Sequence, residues 1–304
     1  MSPESPRKLS AGAGAATAAR GGLPATGTPP GAWRGAGHAQ TFGATERVDR
    51  WWLIPVTQAL GLVLLIGYAN YAAILGPAHY HYVEQGRDYL SPFYSPYLHP
   101  SWLPSWLSPA LLILVFPLGF RTTCYYYRKA YYRSFFADPM GCAVGEARAK
   151  GYCGELKFPF ILQNLHRYFL YAALVILVIL WWDVVQAFRF HDPDGTGYFA
   201  VAGGSLAILA STLTLTLYTF SCHSLRHLIG GRLDCFSCAV AGGPRQKAWS
   251  WVTVLNEHHM GWAWTSLFAV CFADFYVRMC SMGVFSDPML VTFRNFFNLP
   301  SPAP

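Results

Sequence analysis

Five apolar runs of roughly 20 residues restrict the folds open to this chain more than any other feature. They lie at about 51–75 ("WWLIPVTQALGLVLLIGYANYAAIL"), 102–124, 166–188 ("HRYFLYAALVILVILWWDVVQAF"), 202–222 and 260–283. A spanning helix needs about 20 predominantly apolar residues. The expected fold is therefore an all-α integral membrane bundle of five transmembrane helices. Composition agrees, with 53% hydrophobic and 12% charged residues over 304 positions, against about 25% charged in a soluble domain. Pro104, Pro109 and Pro117 fall in the second run, which predicts a kink or a late start. Trp51, Trp52, Trp102, Trp106, Trp181 and Trp182 sit at run ends, where an aromatic belt belongs.

The membrane domain is expected over 47–288, with a short outer segment at 289–304. Residues 1–46 are Gly-, Ala-, Pro- and Thr-rich without apolar periodicity, which reads as a disordered tail. That tail lacks the apolar core of a secretory signal, while an Arg- and Ser-bearing transit peptide is the lesser alternative.

Charge orients the bundle. Arg7, Lys8, Arg20, Arg34, Arg47 and Arg50 precede helix one. Arg121, Arg128, Lys129, Arg133, Arg148, Lys150, Lys157 and Arg167 lie around the connection of helices two and three, and Arg226, Arg232, Arg245 and Lys247 join four to five. Only Arg87, Arg189, Arg278 and Arg294 fall on the other side. The bias of Lys and Arg toward the cytoplasm predicts an N-terminus inside, a C-terminus outside, and a multi-pass protein of the cell's inner (plasma) membrane. The net charge of +7 then reports topology. No basic helix or RNA-binding motif suggests a nucleic-acid partner.

On that topology the ligand-capable residues gather at one face. Cys124 closes helix two, His166 opens three, Cys222, His223 and His227 close four, and His258 and His259 open five. Cys142, Cys153, Cys235 and Cys238 lie in the same-side loops, while His79, His81, His99 and His191 lie opposite, with no cysteine near them in sequence. A reducing cytoplasm disfavours disulfides. A single histidine at a helix end is ordinarily a polar residue meeting headgroups, but ionisable residues from several helix ends at one membrane depth point to function. His223 and His227, four apart, share a helix face. Two cysteines with two histidines suit zinc or a Rieske-type [2Fe–2S] centre, and histidines alone suit haem b. The soluble Rieske spacing is absent, and Cys235-x-x-Cys238 fits half a zinc site or two solvent-facing thiols equally well.

Four stretches resemble one family in order and content: "RTTCYYYRKAYYRSFF" at 121–136, "FPFILQNLHRYFLYAAL" at 158–174, "YTFSCHSLRHLIGGRL" at 218–233 and "LNEHHMGWAWTSLFAVCFADFYVRM" at 255–279. The chain is similar to the membrane-anchor subunit of actinobacterial-type succinate:menaquinone oxidoreductase, respiratory complex II. The resemblance implies a five-helix anchor under flavoprotein and iron–sulfur subunits on the cytoplasmic face, passing electrons from succinate to menaquinone in the lipid. The chain alone carries no flavin fold, so its activity belongs to the complex.

The family often carries haem b, and a group of actinobacterial anchors is associated instead with a Rieske-type [2Fe–2S] cluster. Helices one and two contain no histidine, which argues against two haems. The cysteines favour the cluster over one haem b. The expected ligands are Cys124, Cys222, His166 and His227, with His223, His259 and Cys142 as nearest substitutes.

For the quinone, Arg121, Tyr125, Arg128, Arg167 and Trp262 supply donors at the inner face, joined by Tyr126, Lys129 and Tyr168. The same residues suit docking of the iron–sulfur subunit. A second set toward the outside, Asp183, Asp274, Tyr276 and Arg278, reads as an outer quinone pocket or proton path; Asp274 and Arg278, four apart, also suit a simple ion pair. The rival class is a non-redox transporter or structural anchor whose Cys/His cluster holds zinc. A transporter would more often show internal repeats. No nucleophile–base motif, H-E-x-x-H or phosphate loop suggests an enzyme acting alone.

Overall fold

The structure, a computed structural model, describes residues 41–75, 79–84, 86–137, 140–146, 156–158, 160–231 and 233–293. Most of the expected tail, together with Arg148, Lys150, Cys153, Arg232 and Arg294, lies outside the described residues. Residues 41–46 run beside 143–145, with Gly43 N–H donating to Gly145 O at 2.9 Å and Gly145 N–H to Ala44 O at 2.8 Å.

The architecture is mostly helical. The apolar helices are α1 (Leu53–Asn70, continued by a wider turn to Leu75), α2 (Ala110–Thr122), α4 (His166–Ala187), α5 (Gly203–Phe220) and α8 (His259–Ser281). Three shorter or more polar helices accompany them: α3 (Tyr125–Tyr131), α6 (His223–Ile229) and α7 (Gly242–Glu257). Among the described residues four helices are long and apolar enough to cross a membrane, and a fifth span exists if α2 and α3 with its following turn, bent by 81°, are taken together. The second apolar run thus differs from the expected 102–124. Pro109 stands at the helix N-cap, so α2 begins only at Ala110. Its 13 residues rise about 20 Å at 1.5 Å each, short of a bilayer core of about 30 Å.

The chain is not purely helical. Strands β1 (His81–Tyr82) and β2 (Tyr89–Leu90) form a small antiparallel pair, and β3 (Arg189–His191), β4 (Gly197–Ala202) and β5 (Met289–Phe293) form a three-stranded antiparallel sheet in that order. Phe199 on β4 is opposite both Arg189 and Phe293. These strands follow α1, α4 and α8 or precede α5, so they cap the end of the bundle away from the Cys/His residues. Within that cap Asp287, fully buried, forms an ion pair with buried Arg87 at 2.9 Å. Asp287 also accepts from Tyr89 Oη at 2.9 Å, Tyr276 Oη at 2.9 Å and Gly204 N–H at 2.8 Å.

α5 and α8 are the most enclosed helices, whereas α1 and α4 turn Leu60, Val63, Leu64, Val175 and Val178 outward. An outward apolar surface suits lipid rather than water. The main core includes Leu62, Phe120, Tyr127, Leu170, Tyr218, Ala263 and Leu267, and Cys124 and Cys222 are packed into it.

Candidate functional site

Two helix breaks build the site. After α2, Thr123 Oγ1 donates to Gly119 O at 2.6 Å, and after α5, Ser221 Oγ donates to Tyr218 O at 2.9 Å. Such back-bonding competes with the helix's own ladder and bends it. The following residue is extended in both cases: Cys124 at φ −67°, ψ 131° and Cys222 at φ −65°, ψ 134°. A new helix starts directly afterwards, so each cysteine is turned into the bundle at a corner. Asn256 Nδ2 donates to Ser221 O at 2.7 Å and holds the second corner. Both cysteines are 1% exposed.

Each cysteine meets one imidazole. His166 Nε2 lies 3.2 Å from Cys222 Sγ, and His259 Nε2 lies 3.5 Å from Cys124 Sγ. On the far side of each ring, His166 Nδ1 is 3.0 Å from Thr123 Oγ1 and His259 Nδ1 is 2.6 Å from Ser221 Oγ. The two pairs adjoin across Phe120 and Tyr218, whose rings meet edge to face at 5.4 Å. Phe120 stacks on His166 at 4.6 Å and Tyr218 on His259 at 5.0 Å.

The expected ligand set is therefore brought together in part. Cys124, Cys222 and His166 converge with His259, which had been only a substitute. His227 is exposed on α6 with its ring over Gly231, and His223 is exposed beside His259. Cys142 is exposed in the loop near Arg47. Cys235 and Cys238 are joined as a disulfide, where half a zinc site or two solvent-facing thiols had been expected; three residues apart in a tight turn, they stand within bonding reach. Among the described residues no group of three or more His, Cys, Asp or Glu side chains is arranged to hold one metal ion; the four donors form two thiol–imidazole pairs.

Beside them lies buried Arg121. Its guanidinium donates to Tyr127 Oη, to Ala263 O at 3.2 Å and to Ser266 Oγ at 3.1 Å, and it sits 4.9 Å over the Tyr218 ring. Arg121, Thr122, Tyr127 and Tyr131 form the polar end of an apolar cavity of about 180 Å³ that runs between α1, α2, α4 and α8 past Leu62, Leu114, Leu180 and Val270. Of the expected quinone residues only Arg121 lines it. Tyr125 is exposed under Arg128, which also packs on Phe160; Arg167 is exposed against Tyr168. Trp262 packs on the core, and its buried Nε1 has no hydrogen-bond partner among the described residues.

The second set falls into three places. Asp274 and Arg278 pair at 2.8 Å, with Tyr68 Oη donating to Asp274 at 2.6 Å, Ser91 Oγ also donating to it, and Arg278 reaching Ala72 O at 2.7 Å. Tyr276 belongs to the Asp287 network. Asp183 accepts from Ser95 Oγ and borders a separate cavity of about 280 Å³ with His81, Asp88 and Gln186.

Residues 53–283 match the family model described as actinobacterial succinate dehydrogenase subunit SdhC. The chain belongs to that family. A chain of the solved Mycobacterium smegmatis Sdh1 complex in the apo form is 40% identical to it, with a TM-score of 0.71, covering 83% of this chain and 96% of that one. No curated protein matches. This SdhC chain is accordingly a membrane-anchor subunit of succinate dehydrogenase, a partner of the other complex II subunits and part of an oxidoreductase that it does not constitute alone. The sequence reading missed Thr123, Ser221 and Tyr127. The hydroxyl before each cysteine is visible in T-C and S-C, but nothing local says which ring it meets.

Proposed function

We propose that this SdhC subunit relays electrons from the iron–sulfur subunit to menaquinone through a Rieske-type [2Fe–2S] centre held by Cys124, Cys222, His166 and His259. The observation that carries this reading is the convergence of two buried thiols and two imidazoles from four helix ends. Two thiolates and two histidines are the donor set of such a centre. Haem b suits the site less well, because a porphyrin would have to lie against an Nε2 where a cysteine sulfur now stands.

When bound, the [2Fe–2S] centre would supply single-electron steps between the partner subunit and the two-electron quinone. Cys124 and Cys222 would bind as thiolates, releasing their protons. The fixed charge of Arg121 beside them offsets that negative charge. Phe120 and Tyr218 close the faces of the imidazoles and keep water out. The quinone head would occupy the apolar cavity with its oxygens toward Arg121, which can donate to them, beside Tyr127. The basic-residue bias supports a location of this end at the cytoplasmic face of the plasma membrane. There exposed Tyr125 and Trp251, with Arg167, would meet the iron–sulfur subunit. Proton entry from the outer side is assigned to Asp183 at its own cavity, with Asp274, Tyr276 and Arg278 shaping that end of the bundle.

Low-temperature EPR of the dithionite-reduced complex, matched with its optical spectrum, tests the proposal. A Rieske-type signal without a b-type Soret band is expected. A Soret and α band without that signal would reassign the histidines to haem. Neither signal would mean direct electron transfer to quinone.

A further inference from the structure

The two hydroxyls that bend α2 and α5 also touch the imidazoles, and the pattern is crossed. Thr123 precedes Cys124 yet meets His166, whose Nε2 faces Cys222; Ser221 precedes Cys222 yet meets His259, whose Nε2 faces Cys124. Each corner therefore supplies one sulfur and also orients the ring that meets the other corner's sulfur. Hydrogen bookkeeping decides the direction. A hydroxyl has one proton, and Thr123 gives its proton to Gly119 O while Ser221 gives its to Tyr218 O. Their oxygens can then only accept from the rings. With the hydroxyl protons so placed, both Nδ1 atoms carry the hydrogen and both Nε2 lone pairs face the sulfurs. The second nitrogen of a histidine sets its tautomer in this way, and its partner orients a metal-binding ring.

We infer that Thr123 and Ser221 are positioning residues that lock His166 and His259 in the Nδ1–H tautomer and cross-brace the two cysteine corners. The part of this that concerns metal loading rests on the [2Fe–2S] reading; the tautomer lock stands on the hydrogen bonds alone. Loss of either hydroxyl frees a ring to flip or to protonate Nε2, which removes the lone pair that binding needs. Outer partners of metal-binding histidines are worth about 10–100-fold in affinity or activity.

The test compares the assembled complex carrying Thr123→Val, Ser221→Ala or the conservative Thr123→Ser with the parent. ¹⁵N-histidine spectra of the metal-free complex are expected to show two Nδ1–H rings in the parent, with one changed in Thr123→Val, another in Ser221→Ala and neither in Thr123→Ser. Iron and sulfide retained during chelator challenge should fall about 10–100-fold in the first two variants, with a shifted midpoint potential, and recover in Thr123→Ser. Unchanged tautomers, iron retention and potential in both Thr123→Val and Ser221→Ala would overturn the inference. Changed tautomers in a complex whose parent shows no cluster signal would uphold the lock and overturn the [2Fe–2S] reading instead.

Discussion

His259 and His227 carry the same imidazole, and burial separates them. His259 is 2% exposed with both ring nitrogens engaged, whereas His227 is exposed on α6. The expected outcome is that His259→Ala abolishes the EPR signal of the complex while His227→Ala leaves it at parent intensity; equal loss in both would return His227 to the ligand set. In the sequence His227 stands among the expected ligands and His259 only among their substitutes. Nothing in "NEHHMGW" shows that His259, rather than His258, turns inward. Arg121 is likewise readable as a donor near the inner face, but its removal from solvent onto Tyr218 is not. Replacing it by Met is expected to lower quinone reduction at least tenfold while leaving succinate oxidation by a soluble acceptor intact, measured on the same preparation.

At the scale of elements, the apolar runs placed α1, α4, α5 and α8 within a few residues, because burial in lipid demands a continuous apolar stretch. The second run is the instructive departure, since Pro109 caps α2 and the Thr123–Cys124 corner ends it. Helix α7 went unseen because Gly242–Glu257 is polar enough to read as loop. Close approach of α2 to α4 depends on Gly119, where an added Cβ would fall 2.3 Å from the Phe169 ring. Gly119→Val is expected to cost about 1–3 kcal/mol through overpacking, seen as a lower melting temperature of the complex. An unchanged melting temperature would mean that the two helices do not meet at this position.

The whole molecule is tied at the strand-capped end by Asp287, which links the loop after α8 to Arg87, Tyr89, Tyr276 and the start of α5. Removing one partner of a buried ion pair typically costs about 3–5 kcal/mol because the other charge is stranded. Asp287→Ala should therefore destabilise the complex strongly in thermal unfolding. Arg87→Met with Asp287→Leu should recover much of the loss, and no recovery would assign the effect to the other bonds of Asp287. The sequence offered no hint of this pairing across 200 positions, since neither residue belongs to a periodic pattern.

By itself the sequence determined a membrane bundle, the ends of most of its long helices and the family, because lipid solvation acts locally along the chain. It also determined that cysteines and histidines collect near one end. Only the tertiary structure decided which four of them meet, that two adjacent hydroxyls hold their rings, and where the second span breaks. Those outcomes depend on which helix faces pack together, a relation among residues 38 to 135 positions apart that no local pattern encodes.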